Sequence, residues 1–265
     1  MIKVFELAEA CLHSESIAQK LRITQKAWSL LEQGRLEVVS EKEIRPIAQT
    51  VFPHRPELVD PRDLPRRGLG SDQGRIALLH SLAHIEFYAI HLAWDILYRF
   101  RGLPTRFYWD WLGVAAEEAL HFSMLRARLQ QLGSDYGRLS AHRGLWDVAT
   151  DTADDLIARL ALVPRTLEAR GLDVTPGMIE KLRKVGDTQS AEILNRILRD
   201  EVGHVAIGSR WFNRLCSQRG KNPESTYFEL VQGLLRGKIH GPLNHELRKQ
   251  AGFNETELGR LEQMI

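Results

Sequence analysis

Residues 197–212, ILRDEVGHVAIGSRWF, set Asp200, Glu201 and His204 inside an otherwise apolar helical pattern. Ile193, Ile197, Glu201, His204, Gly208, Phe212 and Leu215 recur at spacings of three and four, so an acid and an imidazole fall on the stripe that a helix buries. The same motif, Glu-x-x-His, occurs earlier as EALH. There Glu118 and His121 share a stripe with Trp111, Val114, Phe122, Leu125, Leu129 and Leu132. Two further acids sit on apolar stripes. Glu86 lies among Leu79, Ala83, Ile90, Ala93 and Leu97, and Glu168 follows Ile157, Ala161 and Pro164.

Helix signals around these motifs define the architecture. Ser71 opens a long helix to about Arg101, closed by Gly102 and Pro104; a second runs from about Phe107 to Leu132 before Gly133. A third is expected from about Leu145 to Arg170, stopped by Gly171, with Thr175 and Pro176 starting a short helix to Val185. Asp187 caps a fourth long helix reaching about Gln218. Residues 3–34 read as one or two amphipathic helices, with Ser14 and Thr24 as caps or breaks and Gly34 as the stop. Pro46, Pro53, Pro56, Pro61 and Pro65 forbid a long helix over 35–70, which reads as a wrapping segment. The tail after Asn222 holds shorter helices broken at Gly237, Gly241, Pro242 and Gly252. No alternating strand pattern of useful length occurs, so the class is all-α, with four long helices forming a bundle.

The chain has 265 residues, 43% hydrophobic and 26% charged, enough for a sizeable core. It reads as one domain over 1–265: N-terminal helices at 1–34, the proline-rich segment at 35–70, a four-helix core at 71–218 and C-terminal helices at 222–265. A net charge of +2 and a pI near 8.6 are too weakly basic to indicate nucleic acid or an anionic membrane. Cys11 and Cys216 form no CxxC pattern, which suits a reducing compartment. With no signal-peptide pattern and no 18-residue apolar run, the expected location is cytoplasmic.

Four buried carboxylates are prohibitive without cations, because an isolated charge in low dielectric shifts its pKa or opens the fold. Two divalent ions would balance them. One Glu from each of two helices, with Glu-x-x-His from each of two others, is the donor set of dinuclear iron carboxylate bundles. Carboxylate and imidazole suit iron or manganese alike; iron is the expected metal, with manganese as the alternative. The 21 glutamates and 10 histidines would place about 0.8 Glu-x-x-His motifs by chance, so spacing carries the weight. Glu86 precedes Glu118 by 32 residues and Glu168 precedes Glu201 by 33. Glu86 and Glu118 are each 16 residues from Gly102, hence at equal height in a helical hairpin, about 24 Å from its turn. The break expected at Gly171 and Pro176 removes that argument for Glu168.

HIEFYAIHLAWD (84–95), FYWDWLGVAAEEALHF (107–122), ALVPRTLEARGLDVTPGMIEKL (161–182), RDEVGHVAIGSRWF (199–212) and IHGPLNHELRKQAGF (239–253) resemble blocks of a bacterial family known as domain of unknown function 455. This family is placed within the ferritin-like superfamily. The resemblance implies a ferritin-like four-helix core holding two metals. In it Glu118 and Glu201 would bridge, His121 and His204 would each bind one ion, and Glu86 and Glu168 would be terminal ligands. A more distant resemblance is to the tRNA hydroxylase that acts on methylthio-isopentenyl-adenosine. It supplies no reaction, since fold does not give function.

Glu117 and Asp200 each precede a bridging candidate and could hold a ligand histidine through its other ring nitrogen. His80, His84 and His91 read as packing histidines, Tyr88 as a core tyrosine that could also be oxidised near iron, and Trp109, Trp111 and Trp211 as core. Arg62, Arg66, Arg67 and Arg75 form the densest basic run, read as ordinary ion pairing rather than nucleic-acid contact. Two functions remain. One is an oxygen- or peroxide-using oxidoreductase acting on a small-molecule or nucleoside substrate, with an electron donor as partner. The other is a non-catalytic metal-handling or metal-stabilised interaction protein. Iron storage in a large shell is disfavoured by the proline-rich segment and the terminal extensions.

Overall fold

The computed structural model describes residues 1–39, 44, 52–65, 68–235 and 238–265. Pro46, Arg66, Arg67 and Gly237 lie outside the described residues. The fold is all-α. Strand structure among the described residues amounts to a short parallel pair, β1 (Ile2–Lys3) with β2 (Leu36–Glu37), and a bridge between Leu58 and Ala141. The chain divides into two compact units, Met1–Trp146 and Asp147–Ile265.

In the first unit, α1 (Val4–His13) and α2 (Ile17–Glu32) pack against the hairpin of α3 (Asp72–Arg99) and α4 (Thr105–Gln131). Ser71 caps α3 by accepting the Gly74 amide, as its sequence position suggests. Ser14 is the C-cap of α1 and Ser16 caps α2, accepting from Gln19. Thr24 neither caps nor breaks a helix. It is buried within α2, donating to the Lys20 carbonyl at 2.9 Å and accepting the Trp94 indole N–H at 2.9 Å. From Glu86 to Tyr98 every residue of α3 is buried, so this half of the helix gives no face to water. Its length and apolar composition would also suit a membrane span, but most of that apolar stretch is buried inside the protein.

The described part of the proline-rich segment lies on this unit. Asp60 caps a 3₁₀ turn at Pro61–Asp63. The Val59 amide donates to the Ala141 carbonyl at 2.8 Å, and the Ala141 amide to Glu57 at 2.9 Å. Phe52 stacks on Tyr88 and sits against His91 and Trp146. α5 (Gly144–Asp151) follows.

The second unit corrects the expected third helix. That stretch is divided into α5, ending at Asp151, and α6 (Leu156–Leu162), capped by Asp155. From α6 the chain continues without a stop through a π-helical segment (Val163–Glu168) into α7 (Ala169–Lys184). Gly171 does not end it, and Pro176 lies inside α7 rather than starting a new helix. Leu172, Ile179 and Leu182 are buried as α7 packs on α8 (Thr188–Gln218), and that burial overrides the local cost of glycine and proline. Asp187 caps α8 by accepting the Ser190 amide at 3.1 Å.

Gly208 of α8 faces Pro164. A Cβ at this glycine would stand 2.5 Å from the proline ring, so only glycine lets α8 approach the π segment this closely. α9 (Pro223–Leu234), α10 (His245–Gln250) and α11 (Glu255–Glu262) complete the unit. The tail is held from inside. Arg165 is fully buried, with its guanidinium 4.6–4.8 Å from the ring centres of Phe212, Tyr227 and Phe253 and 2.7 Å from Glu257. Arg248 makes a two-pronged pair with Asp173, both contacts at 2.8 Å.

Candidate metal centre

α4 supplies Glu118 and His121 one turn apart on its buried face, both with no solvent exposure. α3 supplies Glu86, also buried. The expected equal height about Gly102 is met by a short turn, since α3 ends at Arg99 and α4 begins at Thr105. His121 Nδ1 donates to Glu86 Oε2 at 3.2 Å and lies 3.5 Å from Glu118 Oε2. One donor atom from each of Glu86, Glu118 and His121 lies within 4.8 Å of the others, a buried carboxylate–imidazole group that could hold a metal ion.

The electrostatics agree with that donor set. Burial opposes a charge on His121, but its hydrogen bonds to Glu118 and Glu86, reinforced by their charges, overcome it and push the imidazole up to about 11. Three residues carrying two acids hold a cation tightly, here a proton. A divalent ion answers the same field with one more positive charge. Neighbouring positions on the two helices are apolar and buried: Ala83, Phe87 and Ile90 on α3 and Phe122 on α4.

In the second unit Glu201 and His204 occupy the equivalent turn of α8. His204 Nδ1 is 3.5 Å from Glu201 Oε1; the histidine is buried and the glutamate side chain 12% exposed. Glu168 is half-buried at the last position of the π segment. Because α7 is unbroken, the height argument denied to this half applies after all. Glu168 lies 18 residues before Gly186 and Glu201 lies 15 after it, a mismatch of about one turn. Glu117 is exposed on α4, and Asp200 takes the Arg196 guanidinium at 2.6 Å.

His84 is fully engaged by Tyr136 and the His142 carbonyl, and His91 Nδ1 donates to Phe87 at 2.6 Å. Tyr88, Trp111 and Trp211 are buried, whereas Trp109, expected in the core, is half-buried. Arg62 pairs with Asp60, and Arg75 pairs with Asp72. Cys11 and Cys216 are buried and unbridged. Sequence reasoning missed the π segment beside Glu168. A proline within a helical pattern, Pro164, facing a glycine of the second Glu-x-x-His block was its available signal, since π-helical turns collect at functional positions.

Comparison with known proteins agrees on kinship and is silent on chemistry. A family described as "Protein of unknown function (DUF455)" matches residues 13–259. An "Uncharacterized protein" of Haemophilus influenzae (strain ATCC 51907 / DSM 11121 / KW20 / Rd) is 39% identical over 269 residues, covering 96% of this chain and 92% of that protein. No solved structure matches. The chain therefore belongs to the DUF455 family.

Proposed function

We propose that this is a ferritin-like, dinuclear metal carboxylate protein that uses dioxygen or peroxide to oxidise a small-molecule or nucleoside substrate, with an electron donor as partner. Glu86, Glu118 and His121 would hold metal from the first unit and Glu168, Glu201 and His204 from the second, iron being the first choice and manganese the alternative. The observation that carries this reading is the convergence of Glu86, Glu118 and His121 within 4.8 Å, in a place where ordinary packing would put leucine. The family resemblance extends it to the second motif. The proposed location is cytoplasmic, and the unbridged cysteines support a reducing compartment.

When bound, such an ion pair supplies the redox chemistry, and the protein controls access and electronics. Glu118 and His121 are presented from one rigid helix turn. Glu86 accepts a hydrogen bond from His121 Nδ1–H, a proton that an ion would replace, and so fixes the ring's rotation. Burial keeps water from the Glu86 and Glu118 carboxylates, which strengthens every charge interaction there.

Anaerobic reconstitution with ferrous iron, followed by oxygen exposure and optical spectroscopy, tests the proposal. Two metals per chain and an oxygen-dependent spectral change are expected. Fewer than two metals would overturn the dinuclear assignment, and a loaded protein inert to oxygen would overturn the oxidoreductase. One observation favours the alternative of a metal-stabilised, non-catalytic protein: Glu118 and His121 are completely buried, as structural metal ligands commonly are. A loaded, oxygen-inert protein whose melting rises with metal would establish that reading instead.

A further inference from the structure

A cavity of about 340 Å³ opens on the first unit, lined by α3, by residues 59–65 and by the loop 138–142. It is separate from the Glu86 group. His80 and His84 line it one turn apart, whereas Glu86, two positions beyond His84, points about 200° away around the helix. Its volume is that of a site for a small organic molecule. Val59, Leu64 and Ile85 give it an apolar wall, and the backbone pairing of Val59 with Ala141 ties two of its sides together.

Hydrogen bonding fixes which polar atoms the cavity can offer. His80 Nε2 accepts the amide of Gly137 at 2.9 Å and that of Leu139 at 3.4 Å. A nitrogen that accepts carries no proton, so the His80 proton is on Nδ1, and that N–H has no partner among the described residues. Gly137 adopts a φ of +94° at this contact, a backbone conformation suited to glycine. Burial also keeps His80 neutral, its pKa lowered to about 4, since the residue is only 1% exposed.

His142 repeats the logic. Its Nδ1 accepts the Gly144 amide at 3.2 Å, which leaves Nε2–H as the donor. His84 contributes no donor of its own, since Nε2–H donates to the His142 carbonyl at 2.8 Å and Nδ1 accepts the Tyr136 hydroxyl at 2.9 Å; it serves to hold the His142 loop. Arg138 adds an exposed guanidinium that makes no ion pair among the described residues. Asp63 is the single acid in the lining.

We propose that this cavity binds a small organic anion, a carboxylate or phosphate monoester on an apolar body. Arg138 and the fixed N–H donors of His80 and His142 receive the anionic group, and Val59, Leu64 and Ile85 receive the body. Cations and neutral acceptor-poor molecules find one acid against several donors. The proposal does not depend on the metal reading, because no residue of the Glu86 group takes part.

Isothermal titration calorimetry on the full chain tests it with benzoate, phenyl phosphate and uncharged benzamide as probes. Saturable binding of benzoate or phenyl phosphate is expected, the tighter of the two identifying the carboxylate or phosphate source, with benzamide weaker by about tenfold or more. Arg138→Glu should weaken the anion by about tenfold or more, the value of one charged hydrogen bond. Ser81→Trp should abolish binding by filling the cavity. Arg138 and Ser81 are both exposed, so an unchanged melting temperature will show that these variants fold. Absence of saturable binding by both anions, equal binding of benzamide, or undiminished binding by folded Arg138→Glu would overturn the proposal.

Discussion

In the second unit two buried arginines that hold the tail each meet an acid of the same unit: Arg165 reaches Glu257 at 2.7 Å, and Arg248 reaches Asp173 at 2.8 Å. In the first unit the buried polar group is built the other way, with Glu86 and Glu118 turned on one imidazole, His121. The first arrangement closes helices onto each other. The second gathers donors of the kind a divalent ion takes. Burying charge is costly in both, so the sign and number of the partners distinguish a structural staple from a ligand site.

The largest effect expected on this comparison comes from breaking a staple. Glu257→Ala strands the Arg165 guanidinium among three aromatic rings and should cost about 3–5 kcal/mol in urea unfolding. A loss below about 1 kcal/mol would show that the rings alone satisfy the cation. Next is metal. Chelation should lower the melting temperature of the wild type, and saturating ferrous or manganous ion should restore about 2.7 kcal/mol at a hundredfold excess over Kd. Glu118→Gln should show neither response and retain less metal; an unchanged metal content would remove Glu118 from the ligand set.

Gly208→Ala tests the close approach in the second unit. The added methyl meets Pro164 where a Cβ would be 2.5 Å away, and a destabilisation of about 1–3 kcal/mol is expected. Calorimetric melting with no change would mean that the π segment yields freely.

The most gradual effect is acid sensitivity in the first unit. Burial lowers His80 and His84 to about 4 and holds His91 well below its ordinary range. The unfolded chain therefore binds protons that the folded chain refuses. Stability from these groups is present above the ordinary histidine value of about 6.5 and is lost as pH falls toward about 4. Melting temperature should decline across that window, less steeply in His80→Gln. A flat profile would contradict neutral burial.

Much of the helical frame is legible locally. Ser71 and Asp187 cap where their side chains suit an N-cap, Gly102 divides α3 from α4, and the three-and-four spacing of apolar residues places Glu86, Glu118, His121 and His204 inside. Gly171 and Pro176 mislead because their propensities are worth only about 1–3 kcal/mol, less than the packing of an apolar face can supply. Thr24 misleads for a similar reason: the indole N–H that occupies it comes from Trp94, 70 residues away.

Local spacing alone establishes the periodic features: an all-α chain, two Glu-x-x-His turns facing inward, and acids at matching intervals, because a helix converts spacing into a face. Packing between distant segments settles the rest, pair by pair. It brought Glu86 to within 3.2 Å of His121, matched Arg165 with Glu257 across 92 positions, ran α6 into α7 through a π segment, and set His80 and His142 around one cavity. Such choices depend on which surfaces meet, and no local spacing encodes the identity of the atom waiting on the other side.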